Sequence, residues 1–134
     1  MKKTIVLIGL ALVSACVYAA AAQGLSVVDV TFCQRVVDRE PIDTGTTFPA
    51  DIGWLYCHTT ISNPGEPAEI HHDWYYQDAF ISRLTLTAGT SPKWRTFSAK
   101  QMSPAWLGKW EVVVKTDSGR ELARKSFELT APAE

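Results

Sequence analysis

The chain predicts an all-β fold: an antiparallel β-sandwich, immunoglobulin-like in architecture, with seven or eight short strands. Three observations predict it. Apolar and polar residues alternate with period two through most of the sequence. Turn signals such as Asn63-Pro64-Gly65 and Asp117-Ser118-Gly119 recur roughly every eight to twelve residues. No segment after the N-terminal leader sustains helical periodicity.

The leader comes first. Lys2 and Lys3 precede an apolar run from Thr4 to Ala15. At about a dozen residues that run is too short to span a bilayer and suits an export signal. Two readings of its end stand. Cleavage after Ala19 or Ala22 makes residues 1–22 a signal peptide. Alternatively Val13-Ser14-Ala15-Cys16 is a lipobox, the signal ends at residue 15 and Cys16 carries a lipid anchor. Residues 23–134 are then a single β-sandwich domain. Its expected home is the periplasm, or another exported location, with membrane contact only through such an anchor.

The mature strands follow in order. Leu25 to Phe32 alternates, with Val28, Val30 and Phe32 on one face. Asp38 to Ala50 reads as loop, because Pro41, Gly45 and Pro49 interrupt a ladder. Ile52 to Ser62 alternates again: Leu55, Cys57, Thr59 and Ile61 on one face, Trp54, Tyr56, His58 and Thr60 on the other. Ala68 to Tyr76 is the next strand, and Gln77-Asp78 turns it into Phe80 to Thr87. Gly89 to Pro92 turns the chain into Trp94 to Ser98. Ser103 to Gly108 is a loop; beyond it Trp110, Val112 and Val114 alternate with Glu111 and Lys115, and Trp110 is expected in the core. Asp117-Ser118-Gly119 is a hairpin turn into Arg120 to Leu129.

Cys33 and Cys57 remain once Cys16 is set aside with the leader. In an oxidising compartment the pair is expected to form a disulfide, worth about 3 kcal/mol in the chain-entropy model. The alternative is two buried thiols.

Removing Lys2 and Lys3 leaves 11 cations against 14 anions, a net charge of −3. That balance argues against nucleic acid, which calls for a strongly basic face. An envelope polymer or an envelope protein is the expected partner.

Two polar-aromatic clusters could carry function. In His71-His72-Asp73-Trp74-Tyr75-Tyr76 the set Ile70, His72, Trp74 and Tyr76 is the more apolar and is expected inside, which leaves His71, Asp73 and Tyr75 outside. His71 and Asp73 could chelate a metal with His58, or act as a base and its orienter. No fourth ligand and no nucleophile elbow accompanies them, so no metal, cofactor or catalytic residue is assigned. In the second cluster, Trp94, Thr96 and Ser98 share one face and Lys93, Arg95 and Phe97 the other. Arg95 suits a planar anion, or an internal ion pair with Asp73 or Glu40. Trp106 lies in a Pro/Gly loop and is expected exposed. Beside Tyr75 or Arg95 it would offer a sugar-stacking platform. The candidate ligand-binding residues are therefore His71, His72, Trp74, Tyr75, Trp94, Arg95, Lys100 and Trp106.

The same motifs resemble a bacterial family, domain of unknown function 2914. The resemblance rests on Arg39-Glu40-Pro41, His71-x-x-Trp74-Tyr75-Tyr76, Trp94-Arg95-Thr96-Phe97-Ser98-x-Lys100, Gly108-x-Trp110-x-Val112 and Asp117-x-Gly119-x-x-Leu122. It covers about residues 55 to 129. The family spacing is His-x-Trp, which makes His72 the family histidine and sets it on the face of Trp74. The cysteine pair is not part of the family pattern. The resemblance implies an exported or membrane-tethered β domain and no assigned activity. From the residues, the leading expectation is a non-enzymatic envelope module that binds a carbohydrate or an anionic envelope polymer. A structural or protein-interaction accessory is the alternative, and a metal protein or hydrolase stands third.

Overall fold

The structure, a computed structural model, describes residues 24–132. The expected cleavage sites at Ala19 and Ala22 and the lipidation at Cys16 lie outside the described residues. No helix among the described residues is long and apolar enough to cross a membrane.

Among the described residues nine strands form two sheets packed face to face. They are β1 (Ser26–Val37), β2 (Glu40–Gly45), β3 (Thr47–Pro49), β4 (Trp54–Asn63), β5 (Ala68–Tyr76), β6 (Ala79–Ala88), β7 (Ser91–Gln101), β8 (Gly108–Thr116) and β9 (Glu121–Thr130). One sheet has the order β2-β1-β4-β7 and the other β3-β9-β8-β5-β6. All pairings are antiparallel except β3 with β9. The all-β sandwich is as expected, with nine strands rather than seven or eight.

The extra strands come from the segment expected to be loop. Its prolines are tolerated because β2 and β3 lie at sheet edges, where a missing N–H removes no interior ladder bond. Asp38 and Arg39, both at positive φ, make the tight β1–β2 turn without a glycine. Gln77 and Asp78 do the same between β5 and β6.

The core follows the alternation. Phe32, Leu55, Cys57, Ile61, Ile70, Trp74, Trp110, Val112, Val114 and Leu129 are sealed between the sheets. Burying such side chains supplies the main driving force. Val28 is the exception to the expected face. A register shift between Val27 and Asp29 turns it out to solvent, while Val30 and Phe32 stay inside.

The expected disulfide is absent: Cys33 and Cys57 are free, buried thiols. The register explains it. Phe32, not Cys33, stands opposite Cys57, and Cys33 stands opposite Tyr56. Neighbouring strand residues point to opposite faces, so the two sulfurs leave the sheet on opposite sides. Burial pushes both thiols up from their ordinary range, which keeps them protonated and unreactive at neutral pH.

Candidate functional site

The first cluster lies on β5, hydrogen-bonded on both edges, to β6 and to β8. Its inward face carries Ile70, His72 and Trp74, as expected. His72 spans the sandwich: Nδ1 lies 2.7 Å from Ser98 Oγ on β7 and Nε2 lies 3.2 Å from Thr59 Oγ1 on β4. Trp74 Nε1 donates to the same Ser98 oxygen at 3.2 Å. One assignment satisfies every group. Trp74 donates to Ser98, Ser98 donates to His72 Nδ1, and His72 Nε2–H donates to Thr59. Burial holds the imidazole neutral, its pKa lowered to about 4, with Asp73 opposing and His58 adding slightly to the shift. Sealed from water, His72 and Trp74 cannot touch a ligand. They tie the two sheets together.

The outward face of β5 corrects an expectation. His71 and Asp73 are buried, not exposed. Asp73 accepts two hydrogen bonds from Arg83, Nε to Oδ1 at 2.7 Å and Nη2 to Oδ2 at 2.8 Å, and Lys115 Nζ lies 3.3 Å from Oδ2. The Arg83 fork holds the Asp73 carboxyl below its usual range. His71 Nδ1 meets Thr85 Oγ1 at 3.0 Å, and its Nε2 lies 3.5 Å from Asp117 Oδ1. Long side chains from β6 and β8 thus roof the strand. Tyr75 is half-buried, edge-on to Phe80 at 5.8 Å between ring centroids. His58 sits on the outer face of the other sheet, where Nε2 meets the Arg39 carbonyl at 2.8 Å. It therefore cannot join His71 and Asp73 around a metal. Among the described residues no three His, Cys, Asp or Glu side chains gather where they could hold one.

The second cluster lies on β7, an edge strand. Trp94, Ser98 and Lys100 stand opposite Ile61, Cys57 and Leu55 and so share the inward face. Arg95 and Phe97 face outward. Arg95 is ion-paired with Glu40 from the β1–β2 hairpin, one of the two internal partners expected for it; the other, Asp73, is held by Arg83 and Lys115 instead. Its side chain is 36% exposed and Glu40's 59%. Trp94 lies against Gly89, where a Cβ would approach the indole to 2.5 Å.

Of the eight candidates, His72 and Trp74 meet in the sealed core, and Lys100 and Trp106 come together at the surface. Trp94 and Arg95 lie about 20 Å back along the strand from Lys100. Trp106 accordingly stands beside neither Tyr75 nor Arg95. Its neighbours are Tyr76 at 6.5 Å, Trp110 at 5.7 Å and the Lys100 ammonium, 5.4 Å over the ring.

The loop that presents Trp106 is pinned on all sides. Trp106 N donates to Ser103 O at 2.9 Å, and its own carbonyl accepts from Trp110 Nε1 at 3.1 Å. Leu107 O accepts from Tyr76 Oη at 2.7 Å and from Gln77 Nε2 at 3.3 Å. Gly108 closes the loop at φ 108° beside the Gln77 amide, a backbone conformation that a side chain would strain. An indole 36% exposed is therefore held in one place.

Around it lies a cleft of about 580 Å³ on the flank where the β6 and β7 edges face each other. Its walls include Trp54, Ser82, Leu84, Lys100, Met102 and Trp106. Trp54, 51% exposed, arrives through the Trp54–Gln101 register. Ser82 Oγ is buried with no hydrogen-bond partner. A larger hollow of about 770 Å³ at one end of the sandwich, bounded by Gly24, Asn63 and Asp117, has no aromatic ring in its lining.

Residues 67–129 match the model of the family described as Protein of unknown function (DUF2914). The resemblance carried by the motifs is thereby shown. The matched segment spans β5 to β8 and nearly all of β9, so it contains His72, Trp74, Ser98, Lys100 and Trp106, while Thr59, Trp54 and the Arg39-Glu40-Pro41 motif lie outside it. No curated protein matches the chain. Among solved structures, a β-glucosidase from Kluyveromyces marxianus in complex with glucose is similar, with a TM-score of 0.46 and 11% identity over 79% of this chain and 14% of that one. The selenomethionine-labelled enzyme from the same organism gives a TM-score of 0.41 at the same identity and coverage. The chain thus spans 14% of the length of those enzymes.

Proposed function

We propose that this protein is an exported, non-enzymatic envelope module that binds a carbohydrate or an anionic envelope polymer through the cleft between β6 and β7. One observation carries the reading: an exposed indole, Trp106, fixed by a hydrogen-bonded loop beside a cation and a second exposed indole. A rigid ring loses little freedom on binding, and a flat apolar face suits a pyranose ring. The cleft volume falls within the range of small-molecule sites. Export rests on Lys2, Lys3 and the apolar run behind them.

The test is retention on peptidoglycan and on acidic glycan beads. Trp106→Ala should abolish retention while circular dichroism shows an unchanged fold. Retention at wild-type strength in Trp106→Ala would sink the reading. A second reading, a protein-interaction accessory, is favoured by the unpaired outer edges of β6 and β7, which could accept a partner strand. Under it, the wild-type protein shows no glycan retention, and a proline placed mid-edge in β7 would stop partner capture.

A further inference from the structure

We infer that Lys100 gates the Trp106 ring and selects sugar chains that carry an anionic group, a carboxylate or a phosphate. The inference rests on the cleft being a sugar site, and goes beyond it by naming the ligand's charge and the residue that reads it. Lys100 is half-buried on the inward face of β7, and its ammonium lies 5.4 Å over the Trp106 ring. That cation occupies the indole that the pinned loop offers to a ligand. A neutral sugar must therefore displace the ammonium and return nothing to it. An anionic sugar displaces it equally but pairs with it inside the cleft, where water is partly excluded. No carboxylate competes for Lys100: the cleft lining of Trp54, Ser82, Leu84, Ala99, Gln101, Met102, Ser103 and Trp106 contains no acid. The cleft thus holds one cation and two rings, and this set is complementary to an acidic sugar chain.

The experiment compares matched ligands by titration calorimetry on the whole mature protein. One pair is tetragalacturonate and its methyl ester; the other is a phosphomannan oligosaccharide and its dephosphorylated form. Wild-type protein should prefer the anionic member of at least one pair, and which pair it is separates carboxylate from phosphate. Lys100→Met should cross the two affinities. The neutral ligand gains about two- to fivefold as the ring is freed, and the anionic one loses about two- to fivefold as its partner goes. Lys100→Arg should restore the preference. Raising salt on the wild type should narrow the gap, a readout that needs no variant. Equal wild-type affinity for both members of both pairs, or an unchanged ratio in Lys100→Met, would overturn the gate while leaving the sugar site standing. Failure of all four ligands to bind would overturn the sugar site, and the gate with it.

Discussion

Strands β5 and β7 are alike in composition and opposite in fate. Both mix rings with ionisable groups at strand spacing. On β5 nearly everything is buried, on both faces, while most of β7 is open. The difference is position. β5 has a hydrogen-bonded neighbour on each side, and the long side chains of β6 and β8 close over its outer face. β7 has β4 on one side only. A polar-aromatic strand in a sheet's interior becomes framework, because its polar groups must find partners or stay unsatisfied in low dielectric. The same kind of strand at an edge keeps groups free to meet something else.

That contrast can be broken at graded strength. Trp74→Ala, inside β5, should cost about 3–5 kcal/mol by opening a cavity and freeing Ser98 from its donor, read by urea denaturation. A loss under about 1 kcal/mol would mean that β5 is not the framework.

Acid should strike β5 next. Unfolded His72 takes a proton near pH 6.5, whereas the folded protein resists until about pH 4. Stability is therefore full above pH 6.5 and falls as pH drops toward 4, by about 3 kcal/mol from this group. Asp73, its folded pKa lowered, keeps its contribution above the usual carboxylate value and loses it only at still lower pH. Urea midpoints measured at pH 7, 5.5 and 4.5 should decline steadily, and a flat series would remove the buried tie.

Changes on β7, or in the turn packed against it, should be gentler. Gly89→Ala pushes a methyl into Trp94 and should cost about 1–3 kcal/mol if the ring cannot yield. A shifted tryptophan emission maximum would report the displaced indole. Arg95→Ala removes an exposed ion pair with Glu40 and should cost no more than about 1 kcal/mol. A loss of several kcal/mol there would place β7 with the framework and erase the contrast.

Much of the fold was legible because it is local. The inward set of β4 and that of β5 both follow from alternation, and Asn63-Pro64-Gly65 and Gln77-Asp78 mark their turns. The hairpin at Asp38-Arg39 was not legible, since Pro41, Gly45 and Pro49 make the segment after it read as loop, and only the sheet order shows that β2 and β3 are edge strands that tolerate them. Nor was the cleft. Trp106 and Lys100 were named singly, but Trp54 and Ser82 join them only through strand register and the stacking of two sheets. Ser82 carries no signal of its own, and Trp54 appeared only as one more ring on an outward face.

By itself the sequence determined which residues alternate, where the chain turns and which rings are available, because period-two patterning and turn chemistry act over a few neighbours. Only the tertiary structure decided that Cys33 and Cys57 stay apart, that His72 bolts the sheets together and that Lys100 meets Trp106. Those outcomes depend on sheet order and on one-residue register. A slip of a single residue sends a side chain to the other face, and no local pattern encodes which distant strand will lie beside it.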